Sequence, residues 1–343
     1  MRILITGGCG FIGSNIAIFL KKRLKNYKIY SLDSLTRRGS ILNRDRLKEY
    51  KIKNFKINIE NFKKINNLQK FDLIIDCCAE PAIELSHREP DRVFNTNLIG
   101  TFNILKKCIK DKANIIFLSS SRVYSISVLK KIIKKQNIDK PIKSKIKIDE
   151  TFDTSSPCSL YGFTKLCSEK LIQEFSFVSN IKYIINRFGV IAGPWQFGKQ
   201  DQGFISLWIW KHMNNKQLSY TGFGGTGSQI RDVVHIKDVC KLITLQVRKI
   251  KKIYNITINV GGGKKNAISL KNLTKLSQKI TSNKIKISSI KKTSIYDVPY
   301  YVTDNSKVKK VYNWIPQESF LHIMKDVYKW MYSNKKILKK YIK

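Results

Sequence analysis

Short apolar runs alternate along the chain with stretches whose apolar residues recur every three or four positions. Continuous runs at 3–5, 29–32, 55–59, 73–78, 115–118 and 182–187 read as strands covered on both faces. Between them Ile16, Ala17, Leu20 and Leu24 share a helical face, and helical spacing returns at 41–50, 91–110 and 160–177. Strand and helix in turn through residue 120 predict a parallel sheet with crossover helices. No internal repeat breaks the pattern, and no Pro/Gly/Ser-rich linker divides it. The lysine-rich stretch 130–147 reads as a solvated surface insertion rather than a lid. From Gly189 onward Gly, Trp, Gln and Phe crowd into irregular sequence, as they do in loops that touch a ligand.

The first junction carries the strongest local signal. MRILITGGCGFIGSNIAIFL runs strand, glycine turn, helix, with Gly7, Gly10 and Gly13 spaced G-x-x-G-x-x-G. In that order, backbone N–H groups and the positive end of a helix can receive a pyrophosphate. Gly7 allows the tight turn, Gly10 lets backbone approach phosphate, and Gly13 lets the helix pack against the strand. Asp33 closes the second strand, twenty residues after Gly13. A carboxylate there accepts both ribose hydroxyls and repels a 2′-phosphate, which favours NAD over NADP although Arg37 and Arg38 follow closely.

Composition narrows the class. A chain of 343 residues, 42% hydrophobic, can bury a large core in one big domain or two unequal ones. No stretch approaches the roughly twenty apolar residues of a membrane helix, and the N-terminal apolar run breaks too early for a signal peptide. Seven cysteines without a C-x-x-C pair read as reduced thiols of a cytoplasmic protein, and four unclustered histidines predict no metal. The net charge of +41 invites a nucleic-acid partner. The lysines are dispersed along helices and loops, however, without the stripe that phosphate tracking needs, so no nucleic acid is expected. A positive field still draws in an anionic ligand.

The candidate chemistry lies between residues 119 and 165. Tyr161 and Lys165 form Y-x-x-x-K, and positions four apart on a helix share a face. An ammonium beside the phenol would favour phenolate and make Tyr161 a usable base. Serines 119–121 follow the strand IIFL directly and precede Arg122-Val123-Tyr124. A hydroxyl at the carboxyl end of a parallel strand faces the ligand crevice. Position alone does not choose among the three.

TGGCGFIG, Asp33, Asn97-Leu98-Ile99-Gly100-Thr101, SSSRVY, YGFTK and RDVVHIKDV stand together in this order. With that set the chain resembles the extended short-chain dehydrogenase/reductase family, from residue 1 to about 330. The resemblance implies an α/β fold: a Rossmann-type doubly wound parallel sheet with a smaller C-terminal α/β substrate-binding domain. It implies an NAD-binding domain over 1–187 with a returning segment at about 231–260, and a substrate domain over 188–230 and 261–343. NAD is the implied cofactor and a nucleotide-diphosphate sugar the implied substrate. Counting back from Val123-Tyr124 puts the family's catalytic Ser/Thr on Ser120, with Tyr161 as base and Lys165 as its partner. By position the cofactor is met by Gly7, Gly10, Phe11, Ile12, Gly13, Asp33, Asn58, Ile59, Ala79, Asn97, Tyr161 and Lys165. The substrate is met by Gln196, Gln202 and Arg231, the guanidinium suiting pyrophosphate oxygens. SLDSLTRRGSILNRDRL, GPWQFGKQDQGFISLWIW and residues 224–238 resemble family members that epimerise a CDP-sugar, so a CDP-sugar is favoured. Deoxy-sugar formation for surface polysaccharide is the implied setting.

The departures from the family pattern are specific. Asn58 stands where Asp is usual, and Asp76-Cys77-Cys78-Ala79-Glu80 replaces the H-x-A-A/G run. Asn58 can still meet the adenine amine through its carbonyl. Dehydratase relatives place Asp-Glu after the catalytic serine, and here Ser121 and Arg122 occupy those positions. Epimerase therefore ranks above 4,6-dehydratase, while a UDP-sugar 4-epimerase or a reductase needs only the Ser/Tyr/Lys set. A basic NAD-binding protein associating with nucleic acid is the alternative outside enzymes, and the complete trio opposes it. By resemblance, helices 91–110 and 160–177 pair copies into a homo-oligomer, a dimer or tetramer.

Overall fold

The computed structural model describes residues 1–83, 85–134, 148–198 and 203–342. The chain forms two compact units: residues 1–123, 159–187 and 239–258 make the first, and 124–158, 188–238 and 259–343 the second.

The first unit holds a seven-stranded sheet. Its strands are β1 (Arg2–Thr6), β2 (Lys28–Leu32), β3 (Lys53–Phe55), β4 (Leu73–Asp76), β5 (Asn114–Ser120), β6 (Tyr183–Phe188) and β10 (Ile256–Val260), in the order β10-β6-β5-β4-β1-β2-β3. β1 pairs in parallel with β2 and β4, as do β2 with β3 and β4 with β5. The chain walks outward from β1 to β3 and then restarts on the other side at β4. Such a switch of direction opens a crevice at the carboxyl ends of the neighbouring strands. Ile3, Leu4, Ile5, Ile74, Ile75, Ile115 and Ile116 are fully buried, which is why these strands read as unbroken apolar runs.

Two expected strands end early, each for a visible reason. The third was expected over 55–59, but after Phe55 the backbone leaves the sheet. Asn103 Nδ2 donates to the carbonyls of Ile59 (3.1 Å) and Glu60 (3.0 Å) and holds this turn against a helix. The fourth, expected to reach 78, stops at Asp76, whose carboxylate accepts the Cys78 N–H at 3.2 Å. Helix 91–110 proves to be Pro90–Phe94 and Gly100–Asp111 joined by a π turn, Asn95–Ile99. Hydrophobic spacing carries no mark of such a turn.

The second unit contains β7 (Val190–Ala192), β8 (Leu218–Thr221), β9 (Ile230–His235), β11 (Ala267–Ser269), β12 (Ile287–Ile290) and β13 (Tyr300–Tyr301). β9 is the hub, paired with β7 and β13 in parallel and with β11 antiparallel. β8 and β12 form a separate parallel pair. Its core joins Trp208, Trp210, Leu273, Met324 and Trp330. The unit is comparable in size to the first, and it includes 124–158 and 231–238, which the sequence places with the NAD-binding half. Tyr124 donates to Asn259 Oδ1 (2.6 Å), and the Asn259 N–H donates to Glu150 Oε1 (2.6 Å). Of the lysine-rich stretch, 135–147 lies outside the described residues.

Candidate active site

The loop after β1 is built by close backbone approach. Gly7 has φ +58°, and a Cβ there would sit 2.9 Å from the Cα of Cys78. A Cβ at Gly13 would overlap the Gly7 carbonyl oxygen, so the helix Phe11–Arg23 can pack only with glycine there. At Gly10 a Cβ would touch that same oxygen alone, at 3.0 Å, and otherwise project into open space. Gly10 caps the helix without a side chain, and the first turn holds no acidic residue. The amides of Phe11, Ile12 and Gly13 therefore lie in a helix N-terminus whose positive end nothing acidic in that turn neutralises.

Asp33, at the tip of β2, accepts the Cys9 N–H (3.0 Å) with Oδ2 and the Leu35 N–H (2.8 Å) with Oδ1. Burial pushes its carboxyl up, and these two amides pull the other way. The carboxylate is thereby fixed beside the glycine loop with acceptor capacity to spare. An open position at Gly10, an uncapped helix end and a fixed carboxylate one strand over fit a dinucleotide.

The other expected cofactor residues divide. Ala79 is half-buried in the turn after β4. Asn58 is exposed, and its Oδ1 accepts the Glu60 N–H at 3.1 Å. Ile59 is buried in the core. Asn97 is buried with its amide occupied: Oδ1 takes the Glu80 N–H (2.7 Å), and Nδ2 gives to the Glu80 carbonyl (3.2 Å) and to Thr164 Oγ1 (3.1 Å). Asn97 thus ties the turn after β4 to the helix bearing Tyr161. Glu80, unexplained by the sequence, pairs with Arg92 at 3.0 Å.

Ser120 ends β5, and its Oγ accepts the Arg122 N–H at 3.1 Å. Tyr161 lies in the first turn of the helix Leu160–Ser179, capped by Ser159, whose hydroxyl accepts the Gly162 N–H. Burial raises the Tyr161 phenol above its ordinary value, while a hydrogen bond with Ser120 and the charge of Arg122 lower it. Lys165, one turn later, is 1% exposed, with Nζ 3.8 Å above the centre of the Phe117 ring. Burial lowers its ammonium, opposed first by Asp76 and, among the carboxylates, next by Glu169. The sequence put the Lys165 charge beside the phenol. In the structure the charge of Arg122 also bears on Tyr161, and Lys165 Nζ lies over the Phe117 ring of the sheet.

The helix is anchored at its middle. Glu169 receives Arg187 (Nη2–Oε2 2.7 Å) and the Ser119 hydroxyl, and Ser168 donates to the Asn97 carbonyl. Ser119 is thereby committed to structure, which separates it from its neighbour Ser120.

The substrate candidates lie in the second unit. Arg231 donates to Asp297 Oδ1 (2.7 Å) and the Val298 carbonyl (2.6 Å) with Nη2, and to the Ile230 carbonyl with Nη1. Arg231 thus forms an internal ion pair with Asp297. Gln196 donates to the Ile191 carbonyl (3.2 Å) and accepts from Ser206 (3.1 Å), closing its own loop. Gln202 lies outside the described residues.

Set beside known proteins, residues 3–261 match the NAD dependent epimerase/dehydratase family. The chain belongs to that family. It is 26% identical to the CDP-paratose 2-epimerase of Salmonella typhi over 96% of this chain and 99% of that protein. It is 30% identical to a dTDP-D-glucose 4,6-dehydratase of Dictyostelium discoideum over 74% of this chain and 58% of that one. Its fold matches UDP-glucose 4-epimerase from Thermotoga maritima, solved with UDP-glucose, at TM-score 0.82 and 24% identity, covering 98% and 100% of the two chains.

NAD is the cofactor of this epimerase/dehydratase family, and the cradle described above is shaped for it. Two charged residues beside Tyr161 and Lys165 were not among those expected from sequence. Arg122 was noted only as the absence of an acid, although its place two residues past Ser120 is a positional signal. Asp76 was noted only as a departure.

Proposed function

We propose that this chain is a nucleotide-sugar epimerase that uses tightly held NAD, of the kind that inverts C2 of CDP-paratose. The observation that carries this is the Tyr161 phenol, which Ser120 and the charge of Arg122 lower against its burial, with no carboxylate at 121 or 122. Dehydration to a 4-keto-6-deoxy sugar needs a further acid and base to eliminate water. Likeness to the dehydratase from Dictyostelium is offset by Ser121 and Arg122 at those positions. Full-length likeness to CDP-paratose 2-epimerase supports the CDP-sugar. A UDP-sugar 4-epimerase is the second reading, favoured by the fold match to UDP-glucose 4-epimerase.

NAD, when bound on the glycine loop with Asp33 on its ribose, supplies the hydride acceptor and donor. Tyr161, as phenolate, removes the proton of the sugar hydroxyl, and Ser120 donates a hydrogen bond to the same oxygen. Arg122 stabilises the phenolate against the burial that disfavours it, and Lys165, one turn along the helix, meets NAD in this reading. The keto sugar turns over in the site, and Tyr161 returns its proton to the oxygen on the opposite face. Arg231, Gln196 and Gln202 take the nucleotide end of the substrate in this reading. The Arg231 guanidinium keeps its ion pair while it does so.

Phe94, Ile99 and Ile109 on one helical stretch, and Phe163, Phe177 and Val178 on another, are apolar and exposed, Phe177 by 86%. Those faces support a homo-oligomer, dimer or tetramer. Among the described residues no helix is long and apolar enough to cross a membrane. The cysteines, all free thiols, support a cytoplasmic setting.

Incubation with CDP-paratose, read at C2 by NMR beside Tyr161→Phe, tests the reading. Conversion to CDP-tyvelose that vanishes in the variant establishes substrate and base together. No conversion, with NAD copurifying, discards this substrate and turns the search to UDP- and GDP-sugars. Nucleic acid copurifying in a salt-sensitive way, without NAD, would overturn the enzyme.

A further inference from the structure

β4 ends in a fully buried carboxylate, Asp76, that the mechanism above does not use. Its hydrogen-bond partners are uncharged: Thr6 Oγ1 from β1 (2.5 Å), Thr101 Oγ1 (3.2 Å) and the Cys78 N–H (3.2 Å). Asp76 stands in register with Phe117 on β5, and paired residues of neighbouring strands project to the same face. Lys165 Nζ lies over that Phe117 ring. A buried carboxylate and a buried ammonium thus share one small patch of the sheet.

Charge accounting links them. The other acidic group near Lys165 is Glu169, four residues along the same helix, and it already holds Arg187. From the turn after β4 come Cys77 and Cys78, whose thiols burial pushes well up, with Asp76 next among the causes, so both stay protonated and neutral. Tyr161 lies one turn away and carries Arg122 as its own cation. Among the described residues, Asp76 is the carboxylate left to balance Lys165, and an uncompensated buried ammonium would release its proton.

We propose that Asp76 is a positioning residue that keeps Lys165 protonated above Phe117 and fixes where its ammonium points. This rests on the reading of Lys165 as part of the epimerase site.

The test is the titration of Lys165 itself, followed by 13C NMR of 13Cε-lysine-labelled protein without substrate, with Lys165→Met assigning the resonance. Asp76→Asn keeps size and one acceptor oxygen for Thr6 and Cys78, places an amide donor toward Thr101, and removes the charge. The expected result is a Lys165 proton affinity at least about tenfold weaker in Asp76→Asn, with melting temperature little changed. An unchanged Lys165 titration in folded Asp76→Asn overturns the proposal. Should Asp76→Asn fold poorly, adding Lys165→Met restores folding if the two charges compensate, and failure to restore it overturns the proposal as well. Because the titration needs no substrate, a failed epimerase assay leaves this result standing. Where turnover is found, the pH profile of Asp76→Asn shifts along with the Lys165 titration.

Discussion

The glycine loop of the first unit and the Arg231 segment of the second were both chosen from sequence as ligand sites, and the structure treats their polar groups differently. In the loop, helix-end amides, the open position at Gly10 and the Asp33 carboxylate retain bonding capacity. Around Arg231 and Gln196, carbonyls, Asp297 and Ser206 already engage the side chains. The difference lies in what each motif specifies. A glycine motif specifies backbone geometry, which has few solutions. A long polar side chain has many possible partners, and its neighbours in space decide among them.

The sharpest way to break this comparison is to fill the loop. Gly13→Val should abolish NAD retention and strongly destabilise the fold, because its side chain meets the Gly7 carbonyl. Gly10→Ala should keep the fold and lose only NAD. Cofactor content by absorbance and thermal melting separate the two, and equal melting losses would refute the distinction. Next in size, Tyr161→Phe should slow turnover by about 10²–10⁴-fold without changing NAD content.

Arg122→Gln tests the catalytic side of the contrast. Removing the cation disfavours phenolate, so the Tyr161 pKa rises and the acid limb of kcat/KM moves to higher pH. An acid limb that stays in place would return the role to Lys165. The smallest effect concerns the second unit. Arg231→Lys should cost about 1–3 kcal/mol of stability through its bonds to Asp297 and the Val298 carbonyl. A raised KM with unchanged melting would instead make the guanidinium chiefly a ligand group.

The legible parts of the site were those read from spacing. Gly7, Gly10, Gly13 and Asp33 lie where a strand-turn-helix unit must put them. Ser120 and Tyr161 meet because a strand end and a helix start converge at the same crevice. Asn97 and Lys165 were placed in the right neighbourhood with their bonds unforeseen. Asn97 is spent on Glu80 and Thr164, and Lys165 turns toward Phe117.

By itself, the sequence determined the alternating fold, the glycine loop, the acidic end of β2 and the trio of hydroxyls and amine, since each follows from periodicity or backbone sterics over a few residues. Tertiary structure alone brought the charge of Arg122 to bear on Tyr161, put Asp76 in register with the Phe117 that lies under Lys165, and paired Arg231 with Asp297. Those pairings join residues up to 89 positions apart, Asp76 and Lys165 among them. Electrostatic partnership depends on distance and burial in space, and neither is written in the local pattern.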